Sequence, residues 1–425
     1  MKKNYLSMMS WALVASMGVF SLASCSDDDD NNDGFVGIEA EEGSTMTTEG
    51  QTTTLHAGGH FRLSGGYTVM AGETLVIEEG VTITAVNDDN PDYILVRQGG
   101  RIEAEGTETD PIVMTSENGA LWGGIHICGY AHTNKGSGAL SEIGNAPYGG
   151  DNDADNSGIL RYIRLENTGF ALDEEHESNG VSFYGVGSGT TVEYLQSYKG
   201  ADDGFEFFGG SVNAKYLVVV DNEDDSFDWT EGWNGKAQFL IADQRGTSGA
   251  KDQGDCLIEA DNNGDNFEAT IISHPTLANM TLIGNNSEEG SRGIRLRAGT
   301  KVNIYNSIVV GKPYCLTTET NQTEVSLANG ESVLQYITLA SDIRCDGQED
   351  ENGNVEYEPA YSSALFTADG TNTINSTAIS FSSGSWTGTI NGGHDLSAED
   401  SFFESTDYQG ALSGNDDWTA GWTRK

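Results

Sequence analysis

The chain has 425 residues, with 66 Asp and Glu against 21 Lys and Arg, a formal net charge of −45. A surface of that sign repels nucleic acid and anionic lipid and suits cations. Glycine is abundant (55) and proline scarce (6), and no long segment spaces its apolar residues as a helix does, so many short strands with tight turns are predicted.

The first residues read as a targeting segment. Lys2 and Lys3 precede the apolar run Met8 to Leu22, which is too short for an ordinary membrane span. It ends in Leu22-Ala23-Ser24-Cys25, the pattern of a lipobox, in which small residues admit the signal peptidase and Cys25 takes the lipid. Acyl chains on Cys25 would hold the protein on a membrane without a spanning helix. The acidic run Ser26 to Asp33 resembles the signal that sends some lipoproteins to the outer face of the outer membrane, and it also suits a solvated tether. The expected division is a signal peptide over 1–24, an export signal and linker over 25–48, and a folded body over 49–425. The expected location is the outer membrane, lipid-anchored and facing the exterior.

An internal period dominates the body. Asp202 and Asp224 are 22 apart, as are Asp203 and Asp225, and Glu206 and Asp228. Phe183, Phe205 and Phe227 keep that spacing, and so do Tyr194, Tyr216 and Gln238. The Tyr162, Tyr194, Tyr216 column continues as Asn279, Asn306 and Asn375. Twenty-two residues suffice for one solenoid coil of three short strands and are too few for a propeller blade. The columns therefore predict an all-β fold, a single-stranded right-handed parallel β-helix of about 12 to 15 coils, closed by a C-terminal cap.

Several segments carry a resemblance. They include Gly72 to Ile83, Gly100 to Thr107, Leu121-Trp122-Gly123-Gly124-Ile125, Gly209 to Leu217 and Asp416 to Thr423. Together they resemble a family of bacterial secreted and lipoprotein β-helices that is similar in architecture to pectate lyases. The resemblance spans nearly the whole mature chain. It implies the fold and the location and brings no catalytic residue with it.

Chemistry is expected first at the stacked acids. Asp202, Asp203 and Glu206 would face Asp224, Asp225 and Asp228 one coil away. Carboxylates about 5 Å apart repel by roughly 0.8 kcal/mol in water and about 3 kcal/mol at an effective dielectric near 20. Such columns either splay into solvent or hold a cation, and calcium, which takes six to eight oxygens, is the natural ion. A second candidate calcium loop is Asp151, Asp153 and Asp155; Tyr162 at the twelfth position excludes an EF-hand. Trp229 and Trp233 sit beside the acids as a candidate sugar platform. Arg295 and Arg297, with Arg292, are either partners for a polysaccharide's acids or structural ion pairs.

No organic cofactor motif and no nucleophile with a base is present. Cys128 reads as a core thiol, while Cys315 and Cys345 are candidates for a disulfide between neighbouring coils, with Cys256 unassigned. Three functions follow. The first is a rigid surface module that binds glycan and holds structural calcium. The second is a polysaccharide lyase or glycoside hydrolase on the same scaffold. The third is an adhesive or structural surface protein.

Overall fold

The computed structural model describes residues 35–425 apart from 89–90, 172–176, 249–252, 290–291, 347–358, 378 and 415. Cys25 and its acidic run lie outside the described residues. Residues 35–425 form one compact unit.

That unit is a parallel β-helix. One face is a sheet of ten parallel strands, from Gly66–Val69 to Ile343–Cys345. The opposite sheet runs from His60–Ser64 to Thr373–Ile374. Over the first coils Thr52–Leu55, Thr74–Ile77 and Arg101–Glu105 add a third face. From Gly158–Glu166 onward a single long strand serves two faces: its first half pairs with Arg101–Glu105 and its second with Ile112–Ser116. The bend between the halves falls at Tyr162, with φ of 50°, and recurs at Tyr194, Tyr216, Phe239, Asn279, Asn306 and Tyr336. Left-handed backbone costs an L-residue about 1–2 kcal/mol, least for Asn. Ring stacking one coil apart, at 4.3 Å for Tyr162–Tyr194 and for Tyr194–Tyr216, offsets that cost.

Inward Ile, Leu, Val and Phe fill the bore, and period-2 burial, as in Thr74–Ile77 and Thr82–Ala85, reads directly from the alternation. Two columns need correcting. The turn leaving Val181–Tyr184 is two residues longer than the one leaving Phe205–Phe208, so Val181 pairs with Phe205 and Phe183 with Phe207. One extra residue in the next coil sets Leu217 beside Leu240, which puts Phe239, not Gln238, over Tyr216. Asn375 also falls outside its assigned column, since Thr338 pairs with Thr373.

Among the described residues ten parallel rungs stand on the first sheet and eleven on the opposite one, fewer than the expected 12 to 15 coils. Insertions lengthen several coils: Ile127 pairs with Phe183, Trp229 with Ala260, and Ala260 with Leu296. The folded body also starts before residue 49. Gly37–Ala40 runs antiparallel to His60–Ser64 and closes the open end, and Met46–Glu49 forms a hairpin with Thr52–Leu55.

The C-terminus is a strap along the side of the solenoid, not a cap on its end. Gln409 Oε1 accepts from Thr338 Oγ1 at 2.7 Å, Glu404 N–H donates to Gln238 Oε1 at 2.7 Å, and Arg424 N–H donates to Gln196 Oε1 at 2.8 Å. Trp386 and Trp422 are buried in a second core with Val218, Val220, Ile241 and Ile283, against the Tyr ladder. Amide side chains at the bends recognise the strap: Asn306 Nδ2 donates to His394 O at 2.8 Å and Asn279 Nδ2 to Tyr408 O at 3.0 Å. The bend column thus holds rings where it stacks and amides where it binds the strap's backbone. The strap covers this side and leaves the ten-stranded sheet free to carry a site.

Candidate functional site: an acidic cleft on three coils

The site lies on the outer face of the ten-stranded sheet. Register aligns Ser182, Glu206, Asp228, Glu259 and Arg295 in one column, with side chains pointing away from the bore. Three residues earlier on each coil, Asn179, Asp203, Asp225, Cys256 and Arg292 make a parallel column. The two columns border a cleft of about 300 Å³. It spans three acidic coils, bounded by a neutral coil (Asn179, Ser182) and a basic one (Arg292, Arg295).

All six acids expected in the stacked columns line this cleft: Asp202, Asp203, Glu206, Asp224, Asp225 and Asp228. Asp255 and Glu259 add a third acidic coil, and Glu142 and Glu177 reach in from excursions. Among the described residues ten carboxylates thus share the cleft with a single arginine, Arg295. The third coil escaped the periodicity because an insertion stretches the repeat to 31 residues between Asp228 and Glu259. Its signal was a different one: Asp255 and Glu259 repeat the four-residue separation of Asp202 and Glu206, and of Asp224 and Asp228.

Hydrogen bonds fix part of the cluster. Asp225 N–H donates to Asp203 Oδ1 at 2.9 Å, and Cys256 N–H donates to Asp225 Oδ1 at 2.6 Å, so each Asp ties its coil to the next. Asn179 Nδ2 donates to Glu206 Oε2 at 2.6 Å. Asp228 Oδ1 is shut off from solvent and has no hydrogen-bond partner. A buried carboxylate oxygen without a partner is costly.

The electrostatics follow from burial and crowding. Burial, then the carboxylate of Glu177, pushes Asp202 up to about 8. Burial with Asp225 beside it holds Asp203 well above the usual range, and burial with Asp228 beside it does the same for Glu206. Asp225 and Asp228 are raised in the same way, each by burial and then by Glu259. Cys256 is buried and its thiol is driven far up, so it is no nucleophile.

An excursion over 129–157 forms one wall. Its Tyr148, Ala139 and Ala146 pack on Tyr184 and Phe208. Glu231 pins it, accepting from Tyr148 Oη at 2.6 Å and Thr133 Oγ1 at 2.8 Å and pairing with Lys135 at 3.0 Å.

A family model described as a pectate-lyase-like β-helix domain matches residues 45–423. The chain belongs to this family. No curated protein and no solved structure matches it. Membership accounts for the parallel solenoid; what the cleft does rests on its own residues.

The other expected sites of this β-helix are corrected by the structure. Trp229 and Trp233 are 1% and 0% exposed, so neither offers a sugar platform. Trp229 alternates inward from outward Asp228, and Trp233 stacks on Phe207 at 4.1 Å inside the bore. Arg295 and Arg297 are structural ion pairs. Arg295 bridges Glu259 and Glu319, each at 2.6 Å, and Arg297 pairs with Glu259 and with Asp261 at 2.7 Å. Both are therefore engaged and poorly placed to take a proton from a uronate.

Asp151, Asp153 and Asp155 do not converge; among the described residues every cluster of metal-ligating groups lies in the acidic cleft. Asp153 instead binds the N–H and Nδ1 of His132, at 3.2 and 2.6 Å, and Asp155 accepts the Tyr130 N–H at 2.9 Å, which shapes the excursion. Cys315 and Cys345 are free thiols, as are Cys128 and Cys256. Register sets Cys345 beside Thr318, three positions along the strand from Cys315.

Proposed function

We propose that this protein is a surface-anchored β-helical module, held by lipid on Cys25, that binds calcium in the acidic cleft. The observation that carries the reading is Asp228 Oδ1, buried and unpartnered among ten carboxylates. The molecule itself offers the comparison. One coil further on, the guanidinium of Arg295 sits between Glu259 and Glu319 and balances them. Glu206 and Asp228 occupy the same column without an arginine between them. A soluble cation would take the place that the guanidinium takes next door. Calcium suits it, being a hard ion that accepts an irregular set of carboxylate oxygens. With Trp229 and Trp233 in the core, glycan recognition lacks its expected aromatic platform, and the cation is the ligand this reading commits to.

Anchoring at the outer membrane rests on the lipobox alone, and no helix among the described residues is long and apolar enough to cross a membrane. Cys25→Ala should move the protein from the membrane fraction to the soluble one and abolish palmitate labelling. Continued labelling of the variant would contradict the anchor. Thermal stability with and without calcium tests the cation reading.

A further inference from the structure

We infer that the cleft takes two cations, one coil apart, with Asp228 as the ligand common to both. The inference rests on the cation reading and goes further, to number, order and sharing. The ligand oxygens of Asp203, Glu206 and Asp228 lie within 4.8 Å of one another, and so do those of Asp225, Asp228 and Glu259. The first triad bridges the coil of Glu206 to the coil of Asp228. The second bridges the coil of Asp228 to the coil of Glu259. Its members are the register partners of the first, moved on by one rung. The two centres are therefore separated by about one strand spacing, roughly 4.8 Å.

Asp228 is the residue that both triads contain. A carboxylate has two oxygens and about four lone-pair positions, enough to bind one ion on each side. Its Oδ1 is buried and accepts no hydrogen bond, so its lone pairs are open to a cation. Charge points the same way. The two triads contain five different carboxylates. With Glu259 already paired to Arg295 and Arg297, one dication leaves two of the other four charges unbalanced and two dications leave none.

The two positions are not equivalent. Glu206 is held by the neutral amide of Asn179, whereas Glu259 is engaged directly by Arg295 and Arg297. The position at Asp203, Glu206 and Asp228 therefore fills first, and the one at Asp225, Asp228 and Glu259 is weaker.

Calorimetric titration of chelated full-length protein with calcium chloride at fixed ionic strength tests this. Two calcium ions per chain in two steps are expected. Glu206→Gln should remove the tighter step and Glu259→Gln the weaker one. Asp228→Asn, nearly the same shape, should remove both. One calcium per chain, or an Asp228→Asn protein that loses a single step, would overturn the pair while leaving the cation reading intact. No binding by the wild-type protein would overturn both. The wild-type stoichiometry decides the number of ions even where a variant fails to fold.

Discussion

Chelated protein should melt at a lower temperature than calcium-loaded protein, and the gap should widen as the pH rises. A carboxylic acid whose folded pKa lies above its unfolded value keeps its proton in the folded state after the unfolded chain has lost it. Its contribution to stability is then present at low pH and is lost as the pH rises between the two values. For Asp202 that window runs from about 4, the unfolded value, to about 8. Asp203, Glu206, Asp225 and Asp228 are shifted in the same direction and add to the slope. Calcium binds the ionised form, so it should offset the loss most at pH 8 and least at pH 5. A ligand at a hundred times its Kd stabilises by about 2.7 kcal/mol. Spread over the roughly 390 residues of the folded body, that is about 3 °C in Tm per ion.

Asp203→Asn with Asp225→Asn should abolish most of the gap. The amide Oδ1 can still accept the N–H of the next coil, so the fold keeps those ties. Magnesium should do less than calcium, because it demands near-octahedral geometry. If sodium at equal ionic strength reproduces the shift, screening explains it and no ion is bound.

Trp422→Ala should cost about 3–5 kcal/mol of unfolding free energy, measured by equilibrium urea denaturation. Trp422 has no exposed surface and meets Tyr162 and Tyr194 edge-on at 5.8 and 6.1 Å. Its Nε1–H donates to Trp418 O at 2.8 Å, and its own carbonyl accepts from Arg164 Nη1 at 3.0 Å. Truncation leaves a cavity over the Tyr ladder and loosens the end of the strap. The strap lies on the sheet opposite the cleft, so calcium stoichiometry should not change. A cost below about 1 kcal/mol would show that the strap is an ornament on a self-sufficient solenoid.

The solenoid was legible because a coil is a local unit. Inward residues recur at a nearly constant spacing, and stacked Phe205 and Phe227 or Asp203 and Asp225 announce their neighbours. What blurred was the register wherever a turn changed length, since one or two extra residues after Tyr184 or Thr230 shift a column without altering the pattern inside it. The acidic cleft was half legible for the same reason. Asp202 to Asp228 fall within the regular stretch, whereas Glu259 stands beyond an insertion and Glu142 arrives on an excursion. Trp229 misled because its neighbours are charged. Alternation puts Asp228 outside and Trp229 inside, and composition around a residue does not say which way it points. The strap could not be read from periodicity at all, since its partners are 71 to 258 residues away and follow no repeat.

The most direct test of the cation site is a crystal structure of the protein grown with millimolar calcium, with anomalous difference density collected in the cleft. Peaks are expected between Asp203, Glu206 and Asp228 and between Asp225, Asp228 and Glu259, with Asp228 Oδ1 in the coordination shell. A cleft filled only by water, with Asp228 Oδ1 hydrogen-bonded to it and no anomalous signal, would contradict it.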